Sequence, residues 1–208
     1  MPAALVLTLT PLLAALAYLL ASAQLLRSLR QDASPPAQTL WLIVPALLLH
    51  AATHAHGWMR LHAPDLHFFA ALSLVGLGMA ALSAVAANRQ RLGALGVVVH
   101  PMAAASLLLY HFGGQGAATA LDWRLQLHAW LALLAHAALA IAALLALMLW
   151  FQEKALRRRQ LHSWLRALPP LTQLEILLFR SLGASFVLLT LALVTGVLFV
   201  ENLLAQHL

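Results

Sequence analysis

From Ala3 to Leu26 the chain carries no formal charge, and that run is long enough to cross about 30 Å of hydrocarbon as a helix. A backbone in hydrocarbon finds no water for its N–H and C=O groups, so a single span must satisfy them internally as an α-helix. Five more apolar stretches follow, Thr39 to Trp58, His67 to Ala87, Gly93 to Tyr110, Leu125 to Phe151 and Ile176 to Leu203. The expected fold is therefore an all-α integral membrane protein, a polytopic bundle of six transmembrane helices. The second stretch is short, and its final turns are rich in histidine. A transmembrane barrel would need alternating polar and apolar residues, and none of these runs alternates. Composition agrees: at 63% hydrophobic and 9% charged residues, too little polar surface remains to cover a water-soluble domain. No basic segment precedes the first run, so it reads as a retained span rather than a cleaved signal peptide.

Basic residues set the orientation. Arg27 and Arg30, then Arg89 and Arg91, then Lys154, Arg157, Arg158, Arg159 and Arg166 fall in alternate connections, while the others hold only Arg60 and Arg124. The positive-inside rule places those richer connections in the cytoplasm, and so the N-terminus and the C-terminus outside. The net charge of +6 is then accounted for by topology and by contact with anionic headgroups, which excludes nucleic acid as a partner. Between Lys154 and Leu168, leucines and Trp164 interleave with arginines, the pattern of a short amphipathic interfacial helix that Pro169 and Pro170 end. Residues 1–208 are read as a single membrane domain, with 154–170 as a cytoplasmic amphipathic loop.

The chemistry available is narrow. With no cysteine, the chain has no disulfide, no dithiol relay and no thioether attachment of haem. It has no phosphate-cradling glycine loop and no His-Glu-x-x-His helix, and Gly113-Gly114-Gln115-Gly116 reads as a flexible connection. Asp32, Asp65, Asp122, Glu153, Glu175 and Glu201 all fall in loops or near span ends, which argues against a carboxylate pathway at mid-membrane. No nucleophile and base stand in an arrangement that requires catalysis, so an enzyme is not expected.

What remains is histidine, of which there are 11. His50, His54, His56, His62, His67, His111, His128 and His207 cluster in the expected outer half; His100 and His136 lie deeper, and His162 lies on the cytoplasmic side. An imidazole in hydrocarbon needs a partner for its nitrogens, and haem iron or another metal is one such partner. His50 and His54 share one helix face; either a ligand or an interhelical hydrogen bond to a backbone group or hydroxyl accounts for them. His56 points about 200° away from His54. His62, His67 and His111 read as interfacial residues, and His136 as a structural hydrogen-bonder. His100 precedes Pro101, so its ring is expected to satisfy the carbonyl that the proline frees.

Two stretches carry a family resemblance. Leu121-Asp122-Trp123-Arg124-Leu125-Gln126-Leu127-His128-Ala129-Trp130 resembles the segment bearing the first outer-face haem-ligand histidine of the cytochrome c assembly protein family. Leu168-Pro169-Pro170-Leu171, Leu174-Glu175, Phe179, Gly183, Leu189-Thr190-Leu191 and Thr195-Gly196 are similar to that family's helix leading to its tryptophan-rich haem loop. His50-Ala51-Ala52-Thr53-His54 resembles its transmembrane histidine region, less specifically. After Gly196 the sequence reads Val197-Leu198-Phe199-Val200-Glu201-Asn202 in place of a Trp-rich loop, which is similar to the HemX-like and YpjD-like inner-membrane branch.

The resemblance implies a multi-pass protein of a bacterial-type inner membrane, partnered by the lipid bilayer and by haem or a cytochrome assembly partner. It implies haem as cofactor, with His128 and His207 as iron ligands at the outer face and His50 or His54 as an inner relay position. A regulatory or scaffolding protein that keeps the fold without haem chemistry is the alternative, and a metal-ion transport accessory is a third. The topology has a direct test. Reporter fusions after Leu208 should give a periplasmic signal and those between Arg157 and Arg166 a cytoplasmic one; the reverse pattern refutes the orientation.

Overall fold

The computed structural model describes residues 2–31, 38–87, 93–113, 122–158 and 168–205. Six helices account for nearly all of them: α1 (Pro2–Arg30), α2 (Gln38–Leu61), α3 (Phe68–Ala87), α4 (Gly93–Phe112), α5 (Trp123–Arg157) and α6 (Leu171–Ala205). All six are long and apolar enough to cross a membrane. Most extend past the apolar runs that announce them, because helical hydrogen bonding continues into polar flanks that hydropathy does not count. α5 shows this best, running 35 residues from Trp123 to Arg157 and taking in Glu153, Lys154 and Arg157.

One consequence falls on the expected interfacial segment. Lys154 and Arg157 belong to the last turn of α5, and the Gln152 amide donates to the Pro169 carbonyl at 3.2 Å, bringing the chain back beside α5. Residues 159–167, which hold most of the predicted amphipathic helix, and His162 with them, lie outside the described residues.

Helices α1, α2, α3 and α4 pack around one another, α3 joins them to α5, and α6 meets the rest chiefly through α5. In lipid no hydrophobic driving force draws helices together, so close backbone approach does the work. The core is accordingly rich in alanine: Ala15, Ala46, Ala80, Ala103, Ala104 and Ala137 interleave with Tyr18, Leu95, Leu145 and Leu174. Gly76 on α3 lies so close to α4 that a Cβ there would run into Ser106 and come 3.3 Å from the Ala103 Cα. Outward, Leu16, Leu48, Phe186, Val187 and Leu193 are exposed, as residues facing acyl chains should be.

Pro101 removes the N–H that would bond the Val97 carbonyl, four residues back. His100 does not fill that role. Ser22 on α1 donates its hydroxyl to Val97 O at 2.9 Å, and both ring nitrogens of His100 are buried without a hydrogen-bond partner. The neighbouring helix reaches the freed carbonyl more directly than the adjacent side chain, which projects away from its own helix axis. Ser22→Ala should therefore cost about 1 to 2 kcal/mol in unfolding from detergent micelles. Adding Pro101→Ala should recover part of that loss, since residue 101 then supplies the missing N–H; no recovery would refute the account.

Candidate functional site

Polar groups gather in two places, one in the centre of the α1 to α4 bundle and one on the seam between α5 and α6. In the centre, His50 and His54 project from successive turns of α2, and both are essentially fully buried. Their Nε2 atoms converge on a single hydroxyl, Ser73 Oγ on α3, at 2.9 and 3.0 Å. The two rings stack with centroids 5.6 Å apart. On the far side of His50, its Nδ1 faces the Tyr18 hydroxyl at 3.4 Å, and Tyr18 in turn stacks on His100. On the other side of His54, Tyr110 stacks at 4.5 Å, and Tyr110 also meets the His67 ring at 5.8 Å.

The loop between α2 and α3 closes this end. Asp65 is buried, accepts from the His67 backbone N–H at 3.3 Å and pairs with His67 Nδ1 at 2.5 Å, an arrangement that caps the start of α3. His67 is thus a packed partner rather than an idle interfacial residue. Gly57 leaves room for the Tyr110 hydroxyl, which a Cβ at that position would approach to 2.9 Å.

The second place is built from His128 near the start of α5. Its Nδ1–H donates to the Ala192 carbonyl of α6 at 2.8 Å, and the ring lies against Gly196, where a Cβ would come 3.1 Å from His128 Cε1. Thr195 donates to the same carbonyl at 2.9 Å. Trp123 and Phe199 meet edge to face at 6.2 Å, also across this seam. His128 and Thr195-Gly196, far apart in sequence, are neighbours in space. His136 bonds the Ala132 carbonyl of its own helix at 2.7 Å, as a structural histidine should. His207 lies outside the described residues, so its expected pairing with His128 does too.

The two places suit haem differently. At His128, a bond from Nδ1–H to a carbonyl fixes the tautomer and leaves Nε2 with its lone pair, the usual state of an imidazole that ligates a metal. His128 is only half-buried, so that nitrogen is reachable. At His50 and His54 the fit fails: both Nε2 atoms are taken by Ser73, and Tyr110 and the other imidazole cover the two faces of His54. No planar macrocycle can approach either nitrogen without separating α2 from α3. Sequence reasoning missed Ser73, Asp65 and the two tyrosines. One signal was available: the chain has only 2 tyrosines, and both lie against histidines.

Six helices, each long and apolar enough to cross a membrane, define a polytopic helical membrane protein. The chain belongs to the cytochrome c assembly protein family, whose model matches residues 46–208. It is 33% identical over 137 residues to inner membrane protein YpjD of Escherichia coli strain K12, covering 65% of this chain and 52% of that protein. The YpjD proteins of Escherichia coli O6:H1 and O157:H7 match equally. The chain thus spans about half the length of the curated relatives it matches. No solved structure matches it.

The His128 seat has its own test. Gly196→Val should push the imidazole off the Ala192 carbonyl and cost about 1 kcal/mol of stability, with loss of the hydrogen-bonded 15N signal of Nδ1. Gly183→Val, where nothing lies within 4 Å of a Cβ, should change neither. Equal effects would refute the seat.

Proposed function

We propose that this chain is a multi-pass inner-membrane protein that binds or passes on haem during cytochrome assembly, with His128 as an axial ligand at the outer mouth of the α5–α6 hairpin. The observation that carries the reading is the His128 seat: a carbonyl takes Nδ1–H, and a glycine lets the ring lie flat against α6. Both halves of that seat belong to the two stretches that resemble the haem-bearing part of the family.

Haem, where bound, would supply a redox-active iron, with His128 as the residue proposed to hold it. The chain's own residues bind and orient. Ala192 O holds the imidazole, Thr195 donates to that same carbonyl, Gly196 admits the ring, and the exposed Trp123 and Leu127 offer apolar surface beside it. His50 and His54 take no part in iron ligation on this reading, because Ser73 occupies both Nε2 atoms, Tyr18 meets His50 Nδ1, and both side chains are fully buried. His207 is the second ligand proposed from this chain, and 154–170 the cytoplasmic connection between α5 and α6.

Purified protein in mild detergent, titrated with haem, should give a Soret band that shifts on reduction. His128→Ala should weaken binding by at least about tenfold, more than a change to a supporting residue would. His136→Ala, whose ring bonds only its own helix, should leave binding unchanged. Equal Soret intensity in both variants, or no band in the unaltered protein, would overturn the reading and favour a scaffolding role.

A further inference from the structure

A buried hydroxyl shared by two imidazoles poses a question of hydrogen placement that the α1 to α4 core must answer. Ser73 Oγ has one proton to give, and it stands 2.9 Å from His50 Nε2 and 3.0 Å from His54 Nε2. If it donates to one ring, the other ring must donate to it, so the two imidazoles hold opposite tautomers. Two such arrangements exist. In the first, His54 Nε2–H donates to Ser73, Ser73 donates to His50 Nε2, and His50 Nδ1–H donates to the Tyr18 hydroxyl oxygen. In the second, every one of these bonds is reversed. The arrangements interconvert by moving one proton along the row.

We infer that His54, Ser73, His50 and Tyr18 form a proton relay, with Asp65 and His67 as its mouth, leading from the histidine-rich end of the bundle to its middle. The balance closes. A proton arriving at His54 Nδ1 in the first arrangement makes an imidazolium, whose Nε2–H passes to Ser73 Oγ. Ser73 releases its own proton to His50 Nε2, which becomes an imidazolium whose Nδ1–H is held by the Tyr18 oxygen. One proton enters at His54 and rests on His50, and it returns by the same steps reversed.

Three observations support a relay over a static tie. First, His54 Nδ1 and His67 Nε2 are buried with no hydrogen-bond partner, at the end of the row where the Tyr110 hydroxyl meets the Asp65 carboxylate. Unpartnered polar atoms of this kind are costly in a core, and here they collect at the mouth side of the row, where a proton has to be handed on. Second, the two ends of the row differ: beyond His54 stand Tyr110, which stacks on it, and the Asp65–His67 pair of the α2–α3 loop, while at the other end Tyr18 stacks on His100, whose two nitrogens are unpartnered. Third, the ionisable groups facing the row are histidine, tyrosine and Asp65, from α1, α4 and the α2–α3 loop. Intramembrane chains of this composition mark proton routes in pumps and transporters. The relay lies in a different part of the fold from the His128 seat, and it stands or falls separately from haem binding.

The test uses the full chain in lipid nanodiscs, with 15N-labelled histidine. Magnetic resonance of the imidazoles should show one protonated and one bare Nε2 across His50 and His54, or their exchange average. Both Nε2 atoms protonated in a single fixed state would overturn the relay, because Ser73 then only accepts. Transfer to heavy water adds a readout that a structural role would not move. Ser73→Ala should slow deuterium exchange at the His50 ring by about tenfold or more, leave His54 unchanged, and be rescued by Ser73→Thr, which restores the hydroxyl. Equal or faster exchange at His50 in Ser73→Ala would also overturn it, since loosened packing speeds exchange at both rings.

Discussion

In a bilayer the apolar side chains of α1 to α6 gain little by leaving lipid for one another, so polar groups inside the bundle decide how the helices associate. The hydroxyl of Ser73 carries the greatest share of that task. It holds two histidines of α2 against α3, where the two helices otherwise share little backbone contact, and the outer faces of those rings then receive Tyr18 from α1 and Tyr110 from α4. Each interhelical hydrogen bond of this kind is worth only about 0.6 kcal/mol on average in a membrane, with a ceiling near 1.7. Their value is positional. Two helices meet at one small hydroxyl, and the rings it holds meet tyrosines from two more.

The α5–α6 hairpin obeys the same constraint more simply. Two cross-helix bonds, Gln152 to Pro169 and His128 to Ala192, sit toward opposite ends of the pair and set its antiparallel register. Between them the seam is closed by small residues such as Ser185 and Ala192, while the rest of α6 faces outward. A helix so lightly buried depends on its few polar anchors. That dependence gives His128 a structural role, and the same hydrogen bond orients the ring for the ligation proposed for it.

How far this was legible varied from residue to residue. The six spans were readable because hydrocarbon thickness imposes a minimum apolar length on each. The position of His128 near the start of the fifth span was readable from its neighbours in sequence, but its bond to the Ala192 carbonyl of α6 was not. The partnership of Ser22 with Val97 was not, because the serine lies on another helix and nothing local marks it; the adjacent His100 offered the more obvious partner and was the wrong one. Asp65 and His67 stood two residues apart in plain view, yet a loop position suggested solvent, whereas folding buries the carboxylate.

The sequence by itself determined the class of protein: charge-free runs of span length leave a helix as the only way to satisfy the backbone, and the concentration of histidine toward one end follows from their order along the chain. It determined also that His50 and His54 share a face, since four residues make about one turn. Which helix that face meets was decided only in three dimensions. Helical periodicity sets the direction of a side chain relative to its own axis, but the rotation of one helix against another depends on contacts between residues distant in sequence. Ser73 of α3 meets the two imidazoles for that reason.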